Sequence, residues 1–316
     1  MGRRFAILIL SLASMISYSQ QDPHFSQYMY NLALINPGSA GSSDMICLSG
    51  ANRQQWVGFE GNPSYSFFNA NAPLKPFGLN SGVGLSILSD NLGFGNNLAL
   101  SATYAYRLTV GAGMLGIGID LGLYNQALSA TWYIPDIPSR SDIQQPTQDP
   151  SIPQEKESQI AFDMGFGLFY KTDNLYFGIS SKHLNKPQIK YETARPYLAR
   201  HYYAIAGYRL QLSNPQFEIL PSVVFRSDAR SNSFDISALL RYNKKFWGGV
   251  SYRAGDALIG IIGIELFNGV RIGYSYDFTT SELGNNSMGS HEFTLGYCFS
   301  LSLDKAPQKY KSIRFL

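Results

Sequence analysis

Gly111-Ala112-Gly113-Met114-Leu115-Gly116 spells the glycine fingerprint of dinucleotide binding. That fingerprint holds a pyrophosphate only where a strand leads in and a helix N-terminus follows. Here the residues after Gly113 alternate apolar and small, so a strand follows and no helix dipole faces a phosphate. The glycines read instead as a turn running into a small-residue strand face. The four histidines, His24, His183, His201 and His291, lie far apart, and none has the spacing of a metal-ligand pair. No serine, histidine and acid combination stands out as nucleophile and base. Neither catalysis, a metal nor a cofactor is expected. Cys47 and Cys298 are the remaining reactive pair, and what they do depends on the elements that carry them.

Those elements are strands. The chain has 316 residues, of which only 15% are charged, with 21 Tyr, 20 Phe and 30 Gly. An average soluble domain carries roughly 25% charge. The net charge of +3 is too small to argue for nucleic acid, and the aromatic content excludes a disordered chain. After the N-terminus no apolar run approaches the roughly 18 residues of a membrane helix. Asn97 to Leu108 puts Leu98, Leu100, Ala102, Tyr104, Tyr106 and Leu108 on one face of a strand, because successive strand side chains point to opposite faces. Leu115 to Leu123 repeats the pattern against Gly116, Gly118, Asp120 and Gly122, and Val270 to Phe278 against Arg271, Gly273, Ser275 and Asp277. One face suits lipid. The other, rich in Gly, Ser, Ala and Asn, suits a hydrated lumen better than the Lys- and Glu-rich exterior of a soluble sandwich.

About fourteen such segments predict an all-β fold, a transmembrane antiparallel β-barrel with both termini periplasmic. They lie near 44–53, 63–72, 80–89, 97–108, 113–125, 159–172, 174–183, 201–212, 215–227, 232–243, 246–253, 257–266, 269–278 and 290–299. The three longest connections, 126–158, 184–200 and 279–289, then fall on one side, and most connections on the other are short. Barrels of this kind have long extracellular loops and short periplasmic turns. Closure would make Cys47, in the first strand, a neighbour of Cys298, in the last, with both facing the lumen. The pattern favours two unpaired thiols, with a bridge across the seam as the alternative if the register brings the Cα atoms within about 7 Å.

Four segments follow. Residues 1–19 read as a cleaved signal peptide, with Arg3 and Arg4 before the apolar run Phe5 to Ile16 and small residues at Ser17 and Ser19. Residues 20–43 do not alternate, and their aromatics suggest an ordered periplasmic or plug segment. Residues 44–299 form the barrel in the outer membrane, in contact with its lipids, and 300–316 a basic tail. Within the longest loop, Pro135, Pro138, Pro146, Pro150 and Pro153 stiffen the chain without a packed core. On these grounds the chain is a pore, a transporter or an anchoring barrel.

Asp22-Pro23-His24-Phe25-Ser26-Gln27-Tyr28-Met29-Tyr30-Asn31, followed by Asn36-Pro37 and Ala40-Gly41, resembles the opening of the PorP/SprF family of Bacteroidetes membrane proteins. The likeness continues at Arg53-Gln54-Gln55-Trp56-Val57-Gly58, Ala72-Pro73-Leu74, His183-Leu184-Asn185-Lys186-Pro187 and Gly289-Ser290-His291-Glu292. Ser39 stands where the family commonly carries an aromatic. The resemblance implies a component of the type IX secretion system, which exports or attaches large adhesin-like surface proteins, in some members for gliding motility. The partners it implies are the C-terminal sorting domain of such a protein and other type IX secretion components. It makes Asp22, Pro23, His24, Phe25, Gln27, Tyr28, Tyr30, Asn36, Pro37, Arg53, Gln55 and Trp56 candidates for partner contact. A general porin or small-molecule transporter is the alternative, with Asp120, Arg241, Arg271 and Asp277 as candidates for a charged constriction.

Overall fold

Alternation of side chains along an extended backbone gives each segment an apolar face, and a closed ring of strands turns all those faces outward. The computed structural model describes residues 22–58, 61–128, 157–191, 195–266, 269–285 and 287–300. The expected signal peptide, the proline-bearing stretch 134–153 and the tail from residue 301 lie outside the described residues. Among the described residues fourteen antiparallel strands follow one another around the ring. They are β1 (Ile46–Gln54), β2 (Ser64–Leu74), β3 (Ser81–Leu92), β4 (Gly95–Val110), β5 (Gly113–Leu128), β6 (Glu157–Lys171) and β7 (Leu175–Lys182). Then come β8 (His201–Tyr208, resumed at Leu210–Gln211), β9 (Phe217–Ser227), β10 (Asn232–Tyr242), β11 (Phe246–Arg253), β12 (Ala257–Glu265), β13 (Val270–Thr279) and β14 (Ser290–Phe299). The ring closes where β1 pairs with β14, from Ile46 opposite Phe299 to Gln54 opposite His291.

The outward face is apolar. Ile160, Ile262 and Leu295 are 65%, 63% and 59% exposed, a degree that only a surrounding hydrocarbon layer makes favourable for aliphatic side chains. Strand ends differ from the expected ones by a few residues, and β4 and β5 each run to 16 residues. The two rims differ in their connections. At one, β4 turns into β5 through Gly111 (φ +58°), and β10 into β11 through Asn243 and Lys244, both left-handed. Such residues give a tight hairpin the twist of its strands. The opposite rim carries the connections 55–63, 183–200 and 280–289; it is called the long-loop rim below. Both Ile46 and Phe299 lie at the short-turn rim.

Candidate functional site

The segment before β1 runs inside the barrel. From Asp22 near the long-loop rim it descends through a 3-10 turn (Tyr28–Tyr30), one helical turn (Leu32–Ile35) and a second 3-10 turn (Pro37–Ser39) to enter β1 at the opposite rim. Its side chains spread to different sectors of the wall. Phe25 meets Phe67 edge-on at 4.8 Å, the Tyr28 hydroxyl lies 3.0 Å from Ser222 Oγ, and Tyr30 packs on Trp247 at 5.2 Å. Asn36 Nδ2 donates to the carbonyls of Leu168 and Ile179 at 2.9 and 3.2 Å. Lower down, glycines let the two backbones touch. A Cβ on Gly118 would stand 2.2 Å from Pro37 C, one on Gly116 2.0 Å from Gly38 O, and one on Gly82 1.9 Å from Ala40 O. The inward glycines that read as a hydrated lumen are the track along which a second chain segment passes.

Above this track the wall carries a charged node. Arg53 meets Asp277 at 2.7 Å and Glu292 at 3.4 Å; Arg253 meets Asp235 and Asp277, each at 3.2 Å; and Arg226 meets Asp235 at 3.1 Å. Three buried guanidiniums face three buried carboxylates, with the part-exposed Asp256 3.5 Å from Arg253 at the edge of the node. The plug is bound into it. Glu292 accepts the backbone N–H of Ser26 at 2.6 Å and of Gln27 at 2.9 Å, while Ser26 Oγ donates to Asp277 and accepts from Arg53. A carboxylate taking two backbone donors and a guanidinium recovers much of what burial costs it.

A second cluster sits where the segment begins. His183 lies between two acids, with Nδ1 2.8 Å from Asp163 Oδ2 and Nε2 2.9 Å from Asp22 Oδ1. The second oxygen of Asp22 accepts from the Tyr203 hydroxyl at 2.6 Å and lies 3.6 Å from Lys182 Nζ. His201 closes the group, its ring centroid 5.8 Å from that of His183. Burial opposes charge on His183, but the Asp22 and Asp163 carboxylates prevail and push it up to about 9. Burial likewise opposes charge on Asp22, yet His201, His183 and Lys182 hold its carboxyl well below the usual carboxylate range. Beside the cluster is a cavity of ≈ 260 Å³ between the plug and strands β3 to β6. The connection 183–200 roofs it: Ile189 and Tyr191 are buried against Ala161, with Tyr124 and Leu128 beside them.

Of the residues expected to touch a partner, Phe25, Gln27, Tyr28, Asn36, Pro37 and Arg53 are buried inside the barrel, and Asp22, Pro23, His24 and Tyr30 are half-buried there. Gln55 and Trp56 lie in the β1–β2 connection, where Gln55 N donates to the Pro63 carbonyl and Trp56 N to Ser290 Oγ. The expected constriction residues are already engaged. Arg241 is paired with Glu218, Asp277 belongs to the node, Asp120 accepts from Thr103, and Arg271 donates to Cys298 Sγ. The segment 20–43 was left open between a periplasmic and a plug reading; its described part lies within the lumen, where inward glycines and acids provide its partners. One expectation is corrected. Cys47 and Cys298 are bonded and not two free thiols, because the register sets them directly opposite each other with Cα atoms 4.1 Å apart. The histidines without metal spacing do meet: the ring brings His183 and His201 together with Asp22. Asp235, Arg253 and Asp163 were missed. Their signal is parity, a charge at an inward strand position, as Asp235 stands between Phe234 and Ile236.

Comparison with known proteins gives one family. The model for "Type IX secretion system membrane protein PorP/SprF" matches residues 17–297. A search of curated protein sequences finds no match. Among solved structures, the Acinetobacter baumannii outer membrane protein Omp33 aligns at TM-score 0.47 and 8% identity, over 81% of this chain and 98% of its own. The Ralstonia pickettii toluene transporter TbuX aligns at TM-score 0.47 and 12% identity, over 85% of this chain and 93% of its own.

Proposed function

The chain belongs to the PorP/SprF family of type IX secretion system membrane proteins, and from that premise we propose that it is a non-catalytic outer-membrane barrel that assists secretion or surface attachment of a large adhesin-like protein. The substrate's C-terminal sorting domain is the ligand in this proposal, and gliding is one process it would serve. The long-loop rim faces outward and the short-turn rim the periplasm, following the loop asymmetry of such barrels.

The observation that carries the proposal is the plug. A segment bound to many sectors of the wall and fixed in a buried charged node supports a barrel that acts by contact and not by diffusion through its lumen. Two of the four candidates for a porin's charged constriction, Arg241 and Asp277, are paired within the wall, which weighs against the porin alternative. With the opening residues that carry the family resemblance occupied inside, contact with a partner falls to the rims. On the connection 183–200, Lys186, Lys190, Arg195 and Arg200 are exposed while Ile189 and Tyr191 face inward, which makes a basic outer surface suited to an acidic partner.

Deleting the gene should remove one large secreted protein from the cell surface, and a tagged chain should capture that protein through its C-terminal domain. Changing Lys186, Lys190 and Arg195 together to Glu should abolish the capture while the barrel still folds, because the inward residues of the loop are untouched. Normal surface amounts of every secreted adhesin in the deletion strain would sink the proposal.

A further inference from the structure

Two histidines present the same ring nitrogen to one aspartate. His183 Nδ1 is engaged by Asp163 Oδ2 at 2.8 Å, and His201 Nδ1 donates to the Ala199 carbonyl at 3.0 Å. An acceptor behind Nδ1 keeps that nitrogen protonated and leaves Nε2 as the atom that can face a metal, the arrangement that backs metal-bound histidines. His183 Nε2 lies 2.9 Å from Asp22 Oδ1, and His201 Nε2 accepts the Asp22 backbone N–H at 3.2 Å. Oδ2 of Asp22 is already engaged by Tyr203 and Lys182, which leaves Oδ1 as the oxygen aimed at the imidazole. With carboxylate oxygens against both of its nitrogens, the His183 ring carries a proton on each, and a bound ion would take the place of the one between Nε2 and Asp22 Oδ1.

The geometry has room for an ion. One ligand atom from each of Asp22, His183 and His201 falls within 4.8 Å of the other two. Ligands at about 2.0–2.1 Å from a tetrahedral zinc stand roughly 3.3 Å apart, so a contraction of up to about 1.5 Å completes the set. Asp22, His183 and His201 all line the ≈ 260 Å³ cavity, which leaves a fourth position open to water. Nitrogen and carboxylate donors in this ratio suit zinc and its neighbours, and do not suit calcium or magnesium.

We propose that Asp22, His183 and His201 bind one divalent transition-metal ion of the zinc class, with Asp163 and the Ala199 carbonyl orienting the two rings. The ion joins three parts of the chain that are distant in sequence: the start of the plug, the connection after β7 and the first residue of β8. It therefore fastens the plug at the long-loop rim, opposite to its covalent entry into β1. The proposal stands apart from the secretion role and would survive its failure.

The test uses the untagged mature chain folded in detergent, stripped with a chelator and titrated with zinc by calorimetry and with cobalt by visible absorption. One ion per chain is expected, with the ligand-field bands of four-coordinate cobalt. Asp163→Asn should weaken binding about 10-fold or more, the usual effect of losing a ring-orienting carboxylate. His201→Gln should remove saturable binding and the cobalt bands. Unheated gels, on which a folded barrel migrates faster than the denatured chain, separate these losses from misfolding. A folded wild-type chain that takes up no ion overturns the proposal, and so does binding that is unchanged in both His183→Gln and His201→Gln.

Discussion

Glu292 shows how much of the interior depends on single groups. It accepts the backbone donors of Ser26 and Gln27 and faces Arg53, and none of these can reach bulk water. Glu292→Gln keeps the shape but turns one acceptor into a donor that points at donors. Breaking a buried charge pair from one side costs about 3–5 kcal/mol, because the remaining partner stays buried and uncompensated. The urea midpoint of the folded barrel in detergent should therefore fall markedly for Glu292→Gln, and protease should reach residues 22–44. Asn52→Ala, on the outward face of β1, should leave both unchanged. Equal midpoints for the two variants would show that the node does not hold the plug. At this scale the sequence was half legible. Arg53 and Glu292 stood within the residues that carry the family resemblance, and Asp277 within an alternating strand. Which arginine would meet which acid could not be read, because that depends on where each strand stands in the ring and on a plug that brings Ser26 between them.

Strands were the most legible elements, since period-two alternation is local and leaves its mark on every residue. Their inward faces were legible as small and polar, but the cause was not. Hydropathy does not distinguish a glycine that faces water from one that faces another backbone. Gly118 is the second kind: Pro37 passes where its side chain would be. Gly118→Val should therefore leave the outer wall intact and displace the plug. Limited proteolysis of the folded barrel should cut within residues 22–44 in this variant and spare them in the wild type. Gly260→Ala makes the control, since nothing lies within 4 Å of its added carbon. Resistance of Gly118→Val to the protease would mean that the plug tolerates a shift at Pro37 and is held mainly by the node. The seam between β1 and β14 has the same lesson. Facing cysteines in the first and last strands were legible, but their bonding depended on a register that places Cys47 opposite Cys298 and not one residue away, on the other face.

The whole molecule is a ring closed twice, once by hydrogen bonds and once by a covalent bond, with a segment of its own chain through the middle. The bridge joins residues 251 apart, so it restrains the denatured chain strongly. Chain-entropy accounting gives about 5 kcal/mol for a loop of that length. Reduction, or Cys47→Ser with Cys298→Ser, should lower the temperature at which the barrel loses its compact gel mobility, without opening the lumen. The lumen is controlled by the plug instead, and planar bilayers separate the two effects. The full chain should give no large steady conductance, because the plug meets the wall from Phe67 on β2 to Thr294 on β14 and the connection 183–200 roofs the cavity beside it. Removing residues 22–41 takes away Ser26, Tyr28, Asn36 and the Pro37-Gly38 backbone together, and leaves inward serines, glycines and charged groups facing water. That variant should conduct in discrete, long-lived steps, and Glu292→Gln in brief ones as the plug loosens. Reduced wild type should remain silent. A large conductance from the intact chain would return the protein to the pores and remove the reason for assigning it work by contact.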